Sequence, residues 1–358
     1  MNKTMRNLLK WTGIVIAVLA LIGAAYLAKL VYIGTPASVM SMQFDGFIPL
    51  PKGSALSVLD YLTLSERDLF VTNESTGTVY KIELPQTGLP HTTVLTSEAP
   101  QPAAAHGVAL DATHKLAFVT RSEANQVDVI DAKTMKGIAR ISVGEDADGI
   151  MYEADHDLIY VANGDAHVAT LIDPHKQQVV GTIALGGKPE FMASDSLNHT
   201  VYQNLRDLNA VAEVDIGARK VVGQWNLAGC IAPSGMALDS PTRRLLIVCA
   251  GNAALVVFDL SQHKVTAALG IGSDPDSVAL DADLHRIYTT GKAGVLAVVS
   301  QDGPDAYHVL DSIQLHYGAH TLAVDPRTHY VYVAYAGLFV APRVAVFEPR
   351  LAALPAAH

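Results

Sequence analysis

Five ionisable side chains recur in this sequence at nearly equal intervals: His106, Asp148, Glu190, Asp276 and His320. Each opens a segment of the same kind, such as HGVALDATHKLAFVT from His106 or DSVALDADLHRIYTT from Asp276. Two further copies open on Val58 and Ser234. Imidazole and carboxylate together suit a divalent transition metal, and a more carboxylate-rich subset suits calcium. A metal held by such groups polarises a carbonyl or activates a water. Without metal, crowded carboxylates raise one another's pKa and can work as acid and base. Any of this requires elements that bring seven distant segments to one place.

The leading residues stand at 58, 106, 148, 190, 234, 276 and 320, so the intervals are 48, 42, 42, 44, 42 and 44 residues. Each copy reads as a short apolar strand, an Asp-initiated turn and a β-rich second strand. In the copy from His106, a third strand (127–130) and a fourth (137–143) follow, separated by turn residues. Such short strands bounded by Gly, Asn, Asp and Pro leave little room for helix. A repeat of this length with four strands is the signature of a β-propeller blade, whose sheet buries its faces only by stacking on neighbours in a ring. The expectation is an all-β, seven-bladed propeller over residues 42–349. The seventh copy supplies strands at 320–324, 330–334 and 343–347 but no fourth. Residues 42–48 (MQFDGFI) are expected to complete it, since an open ring leaves unpaired edges; a strand beyond Phe347 is the weaker alternative, interrupted by Pro349 and Pro355.

FVTN at 70–73, FVT at 118–120 and YVAN at 160–163, with GGKPEFMA and GSDPDSVALD before later copies, resemble the YVTN β-propeller repeats over residues 55–347. The copies from 190 onward keep the spacing but lose the Asn. The resemblance implies that the first strand of every blade lines a central channel. His106, Asp148, Glu190, Asp276 and His320 would then share one channel mouth with Val58 and Ser234. It also allows a plain polar rim there, and says little about chemistry, because propellers serve many functions.

Two other acidic series read as structural. Asp111, Glu153, Asp195, Asp239, Asp281 and Asp325 sit between first and second strands; Asp131, Asp173, Asp215 and Asp259 follow third strands. Such residues cap tight turns through their own backbone. The sequence holds no Walker loop, GxSxG turn, HExxH, CxxCH or CxxC, which excludes only the enzymes those motifs mark.

Residues 1–10 carry three basic residues and no acid, and 11–33 form an apolar run long enough to cross a bilayer. The basic flank places the N-terminus in the cytoplasm. The expectation is a basic tip and signal anchor over 1–33, a linker over 34–41, the ring, and a tail over 350–358. The propeller would lie on the periplasmic side of an inner membrane. A cleavable signal peptide with Gly23, Ala24 and Ala25 as its small-residue site is the rival. The chain has 25 basic and 35 acidic residues; without the four basic residues of 1–32 the balance is 21 to 35, or −14. Such a body repels phosphate backbones and disfavours nucleic acid. Cys230 and Cys249 flank the first two strands of one blade, near enough to bridge in an exported protein, while Cys249 reads equally well as a small core residue.

The functional expectation is a membrane-tethered binding or scaffold module, with a small-molecule ligand, a divalent metal or a periplasmic protein at its channel mouth. The alternative is a metal-dependent hydrolase or lyase, lactonase-like, using His106, Asp148, Glu190, Asp276 and His320. A third reading is an accessory subunit of a periplasmic redox system.

Overall fold

In the computed structural model, which describes residues 3–31, 35–51, 57–84, 94–97, 104–113, 115–337 and 340–350, the repeat folds into seven four-stranded antiparallel sheets. Blade 3 is representative. Ala147–Glu153, Leu158–Asn163, Val168–Asp173 and Gln178–Ala184 follow one another outward from the ring axis. Second strands such as RLLIVC in blade 5 are buried along their whole length, because neighbouring blades cover both faces. Outer strands such as KVVGQWN in blade 4 alternate exposed and half-buried residues, since they reach the ring's edge. Seven apolar clusters fill the seven blade interfaces. That number closes a ring, whereas an open arc of seven blades would have six.

Closure occurs as expected. Met42–Pro49 is the outer strand of blade 7, pairing antiparallel with Val340–Pro349 from Met42 opposite Pro349 to Pro49 opposite Arg343. Inner strands begin on one face of the ring, the mouth face, and outer strands end there. Met42 and Pro349 therefore both lie on the opposite face.

The two structural acid series cap turns. Asp131 Oδ1 accepts from the backbone N–H of Lys133 and Thr134 at 3.0 and 2.7 Å, and Asp281 Oδ1 from Leu284 at 3.1 Å. Several also tie one blade to the next: His329 in blade 7 bonds Asp281 in blade 6 at 2.9 Å, and Arg243 in blade 5 pairs with Asp195 in blade 4. Cys230 and Cys249 are joined in a disulfide with Cα atoms 5.3 Å apart, linking the approach to blade 5's inner strand with the end of its second strand.

Lys3–Val31 is one helix. Its stretch Lys10–Ala28 has mean hydropathy 2.1, with none of it buried against protein. At about 1.5 Å per residue these 19 residues span roughly 28 Å, enough for a bilayer core; a signal sequence has the same character. Residues 32–34 and the tail beyond Arg350 lie outside the described residues.

Candidate functional site

The first residue of each inner strand is held by the strand's pairing with its neighbour. Ala147, Pro189, Pro233 and Pro275 pair with the last residue of their second strands. The next residue in each case is Asp148, Glu190, Ser234 or Asp276. In blade 1 the same partner position belongs to Leu59, opposite Asn73, so the mouth residue there is Asp60. Val58, expected from counting back from FVTN, is displaced by two. The cause is local: Ser65 donates its N–H to the carbonyl of Asp68 at 2.8 Å, making a two-residue hairpin loop. Blade 3 uses four residues between Glu153 and Leu158.

With Asp60 in place, the mouth reads Asp60, His106, Asp148, Glu190, Ser234, Asp276 and His320. All seven line one cavity of about 710 Å³. Asp60 is its centre. Its Oδ2 lies 2.6 Å from His106 Nδ1, and its Oδ1 3.7 Å from His320 Nε2. Asp148 Oδ1 stands 3.5 Å from His106 Nδ1, buried and without a hydrogen-bond partner. The outward nitrogen of each imidazole is tied to an oxygen: His106 Nε2 to Ser122 Oγ at 2.8 Å, His320 Nδ1 to the Gly318 carbonyl at 2.8 Å. These bonds fix the rings and aim the other nitrogens at Asp60.

Ligating atoms of Asp60, His106 and Asp148 all fall within 4.8 Å of one another. Of the five expected ligands, then, the structure brings His106 and Asp148 into the cluster and sets His320 beside it. Asp276 Oδ2 lies 3.8 Å from the same His320 Nε2 that faces Asp60. Glu190 turns instead to Arg206, at 3.4 Å.

Electrostatics follow the geometry. Burial pushes Asp60 up, but hydrogen bonds and charge from His106 and His320 outweigh it and hold its carboxyl below the usual range. Burial pushes His106 down, but the hydrogen bond and charge of Asp60 outweigh it, raising the pKa to about 9; His320 rises to about 9 in the same way, helped by Asp276. Burial and the charge of Asp60 lift Asp148 to about 8. Burial also lifts Glu190 and Asp276. Ser122, His106 and Asp60 have the connectivity of a nucleophile, base and orienting acid. At neutral pH, however, His106 keeps its proton, so Ser122 accepts that hydrogen bond and is not deprotonated.

Two features escaped the sequence reading. One is a second series, the residue after each second strand's last pairing position: Glu74, Ser122, Gly164, Arg206, Ala250, Lys292 and Ala336. Glu74, Arg206, Lys292 and Ala336 line the cavity. The mouth is therefore of mixed charge, with Arg206 and Lys292 standing among the carboxylates and histidines. The other is the layer just below, formed by Tyr61, Gly107, Gly149, Phe191, Gly235, Ser277 and Thr321. Tyr61 and Phe191, from blades 1 and 4, stack across the axis with ring centroids 5.7 Å apart and planes at 8°. They floor the mouth and turn the channel into a cup. The glycines let inner strands crowd together: a Cβ on Gly235 would meet the Asp276 carbonyl oxygen at 2.6 Å.

No family model and no curated protein matches the chain. Solved structures do. Kuenenia stuttgartiensis hydrazine synthase superposes at TM-score 0.70 with 16% identity, over 83% of this chain and 97% of that one. The WD40 repeats of RRP9 superpose at 0.70 with 12% identity, over 89% and 100%. Virginiamycin B lyase from Staphylococcus aureus superposes at 0.70 with 12% identity, over 86% and 99%. At these identities the likeness is one of fold, a seven-bladed propeller.

Proposed function

We propose that this chain is an exported, membrane-anchored binding propeller of the YVTN type whose cup holds a divalent transition-metal ion on Asp60, His106 and Asp148, with His320 beside them. One observation carries the reading. Two imidazoles have their outward nitrogens tied, and their inward nitrogens meet a shared buried carboxylate beside a second carboxylate oxygen that lacks a partner. Nitrogen with carboxylate oxygen favours zinc, manganese or iron over calcium. A cation would replace the close Asp60–His106 contact and the protons now shared there. The anchor reading rests on the apolar helix, and export on that helix together with the disulfide. Since the helix leads into Met42, on the face opposite the mouth, the cup would open away from the membrane.

The test is the metal content of full-length protein purified in detergent, without chelator or tag-derived nickel, beside Asp60→Asn and His106→Ala. About one equivalent of metal in the wild type, lost in both variants, is expected. Absence of metal in the wild type after attempted reloading would refute the cation. A second reading, a metal-dependent hydrolase or lyase, is favoured by the aromatic floor, which leaves a one-ended cavity of about 710 Å³ above the ligands in which a substrate could be held away from bulk water.

A further inference from the structure

We infer that the cup's ligand is a small carboxylate that spans it, with an oxygen on the cation at Asp60, His106 and Asp148 and its carboxylate between Arg206 and Lys292. The inference rests on the cation reading above and adds the chemistry of what binds beside the ion.

The cup has two unlike walls. Blades 7, 1, 2 and 3 contribute His320, Asp60, His106 and Asp148. Blades 4 and 6 contribute Arg206 and Lys292 beside Glu190 and Asp276; the two cations are the only Lys and Arg lining the cavity among the described residues. Blade 5 stands between these two and presents the smallest pair of the ring, Ser234 and Ala250, so a recess separates the two cations. Ser234 donates its hydroxyl to the Pro275 carbonyl at 3.0 Å and is itself buried. The recess therefore lies between two cations, with Glu190 and Asp276 at its flanks and no free hydroxyl from Ser234.

Arg206 and Lys292 offset the charge of Glu190 and Asp276 but hold neither carboxylate in a close pair. Several base–acid pairs elsewhere are closer: Lys176 to Asp173 at 2.7 Å, Lys81 to Asp68 at 2.9 Å, Arg244 to Asp259 at 3.0 Å. Arg206 stays 3.4 Å from Glu190. Lys292 feels the charge of Asp276 but, among the described residues, closes an ion pair with none. Loosely held cations facing a cavity can turn to an anion, and a carboxylate accepts charge-assisted bonds from both. The opposite wall takes the other end of the molecule, since an ion on three protein ligands keeps positions open for a further oxygen. The stacked Tyr61–Phe191 floor limits depth and holds the ligand across the cup.

The experiment uses full-length protein in detergent, with zinc stoichiometry measured on each sample. Malonate, succinate and glutarate are titrated calorimetrically, with succinamide as the uncharged control. Arg206→Gln/Lys292→Gln is compared with wild type, and Lys292→Gln alone, at an exposed rim position, serves if the double variant melts early. The expected result is that zinc-loaded wild type binds at least one dicarboxylate and not succinamide, and that the variants keep zinc but bind that dicarboxylate roughly tenfold or more weakly. Zinc retention with no dicarboxylate bound, or with equal binding by wild type and variants, overturns the inference and leaves the cation intact. If the wild type takes no zinc, the same titration still decides: binding that depends on Arg206 and Lys292 keeps the anion recess and sinks the cation, and its absence sinks both.

Discussion

Asp60→Asn, studied in chelator-treated full-length protein, should release two histidines from their high pKa, and the structure fixes the order in which they respond. His106 lies 2.6 Å from Asp60, and its pKa is raised from 6.5 to about 9 despite burial, which acts the other way. That difference of about 2.5 units is worth about 3 kcal/mol. The lowered pKa of Asp60 is the same interaction viewed from the carboxylate, so it is counted once. The sign follows from linkage. A histidine raised above its unfolded value stabilises the fold fully below about 6.5, and that contribution is lost as pH rises through 9. Removing the charge of Asp60 also removes part of what keeps Asp148 at about 8. Asp148 then ionises 3.5 Å from His106 and partly replaces the lost partner. His106 should therefore fall by about one unit or more in Asp60→Asn. In Asp60→Asn/Asp148→Asn it should fall below 6.5, where burial acts with little opposition. His320, which keeps Asp276 at 3.8 Å, should fall less in the double variant. The assay is NMR titration of protein labelled at histidine Cε1, with His106→Gln and His320→Gln assigning two of the 14 resonances. A His106 that still titrates near 9 in the double variant would refute the electrostatic account of the mouth.

Three further outcomes follow from the fold. Cys230→Ser/Cys249→Ser removes a crosslink closing a 19-residue separation and should cost about 3 kcal/mol in denaturant unfolding, with no loss in the wild type until reductant is added. Asp259 is held at about 2: burial raises it, but hydrogen bonds from Ser261 and Gln262 outweigh that. Its contribution, about 2 kcal/mol, is present above pH 4 and lost as pH falls through 2, so Asp259→Asn should flatten the acid limb of a stability–pH curve by that amount. Gly235→Ala places a Cβ 2.6 Å from a backbone oxygen that cannot rotate away; it should destabilise the ring by about 1–3 kcal/mol, read as a lowered melting temperature.

The ring was legible because its signal is redundant. Seven copies, six with an acid at the first turn and four with a second after the third strand, outvote any irregular one, and the missing fourth strand of blade 7 pointed straight to Met42–Pro49. The site was legible only where copies are regular. His106, Asp148, Glu190, Asp276 and His320 keep a constant distance from the second strand. Asp60 does not, because the hairpin at 65–68 is two residues shorter, and a two-residue slip hid the carboxylate on which both histidines converge. Arg206 and Lys292 were missed for a different reason: their positions hold Glu, Ser, Gly and Ala in other blades, and a series without shared chemistry carries no signal until the backbone aligns it. The Tyr61–Phe191 stack is likewise a pairing across the axis, between blades 1 and 4, which no local pattern encodes.

The strand that seals blade 7 has a consequence for how the chain is made. Residues 42–49 leave the ribosome before the rest of the propeller, yet their partner, Val340–Pro349, is the last strand of the propeller to appear. Met42 must find Pro349 across some 307 residues of sequence (349 − 42), the kind of distant pairing that slows folding. Throughout synthesis the first blade to emerge has no seventh neighbour, and both sides of the growing arc keep apolar faces and bare strand edges. The last few dozen residues thus act as the latch of the whole domain. A chain cut short before residue 340 forfeits more than one blade, because it leaves the earliest-made strand with nothing to join and the cup without a closed wall.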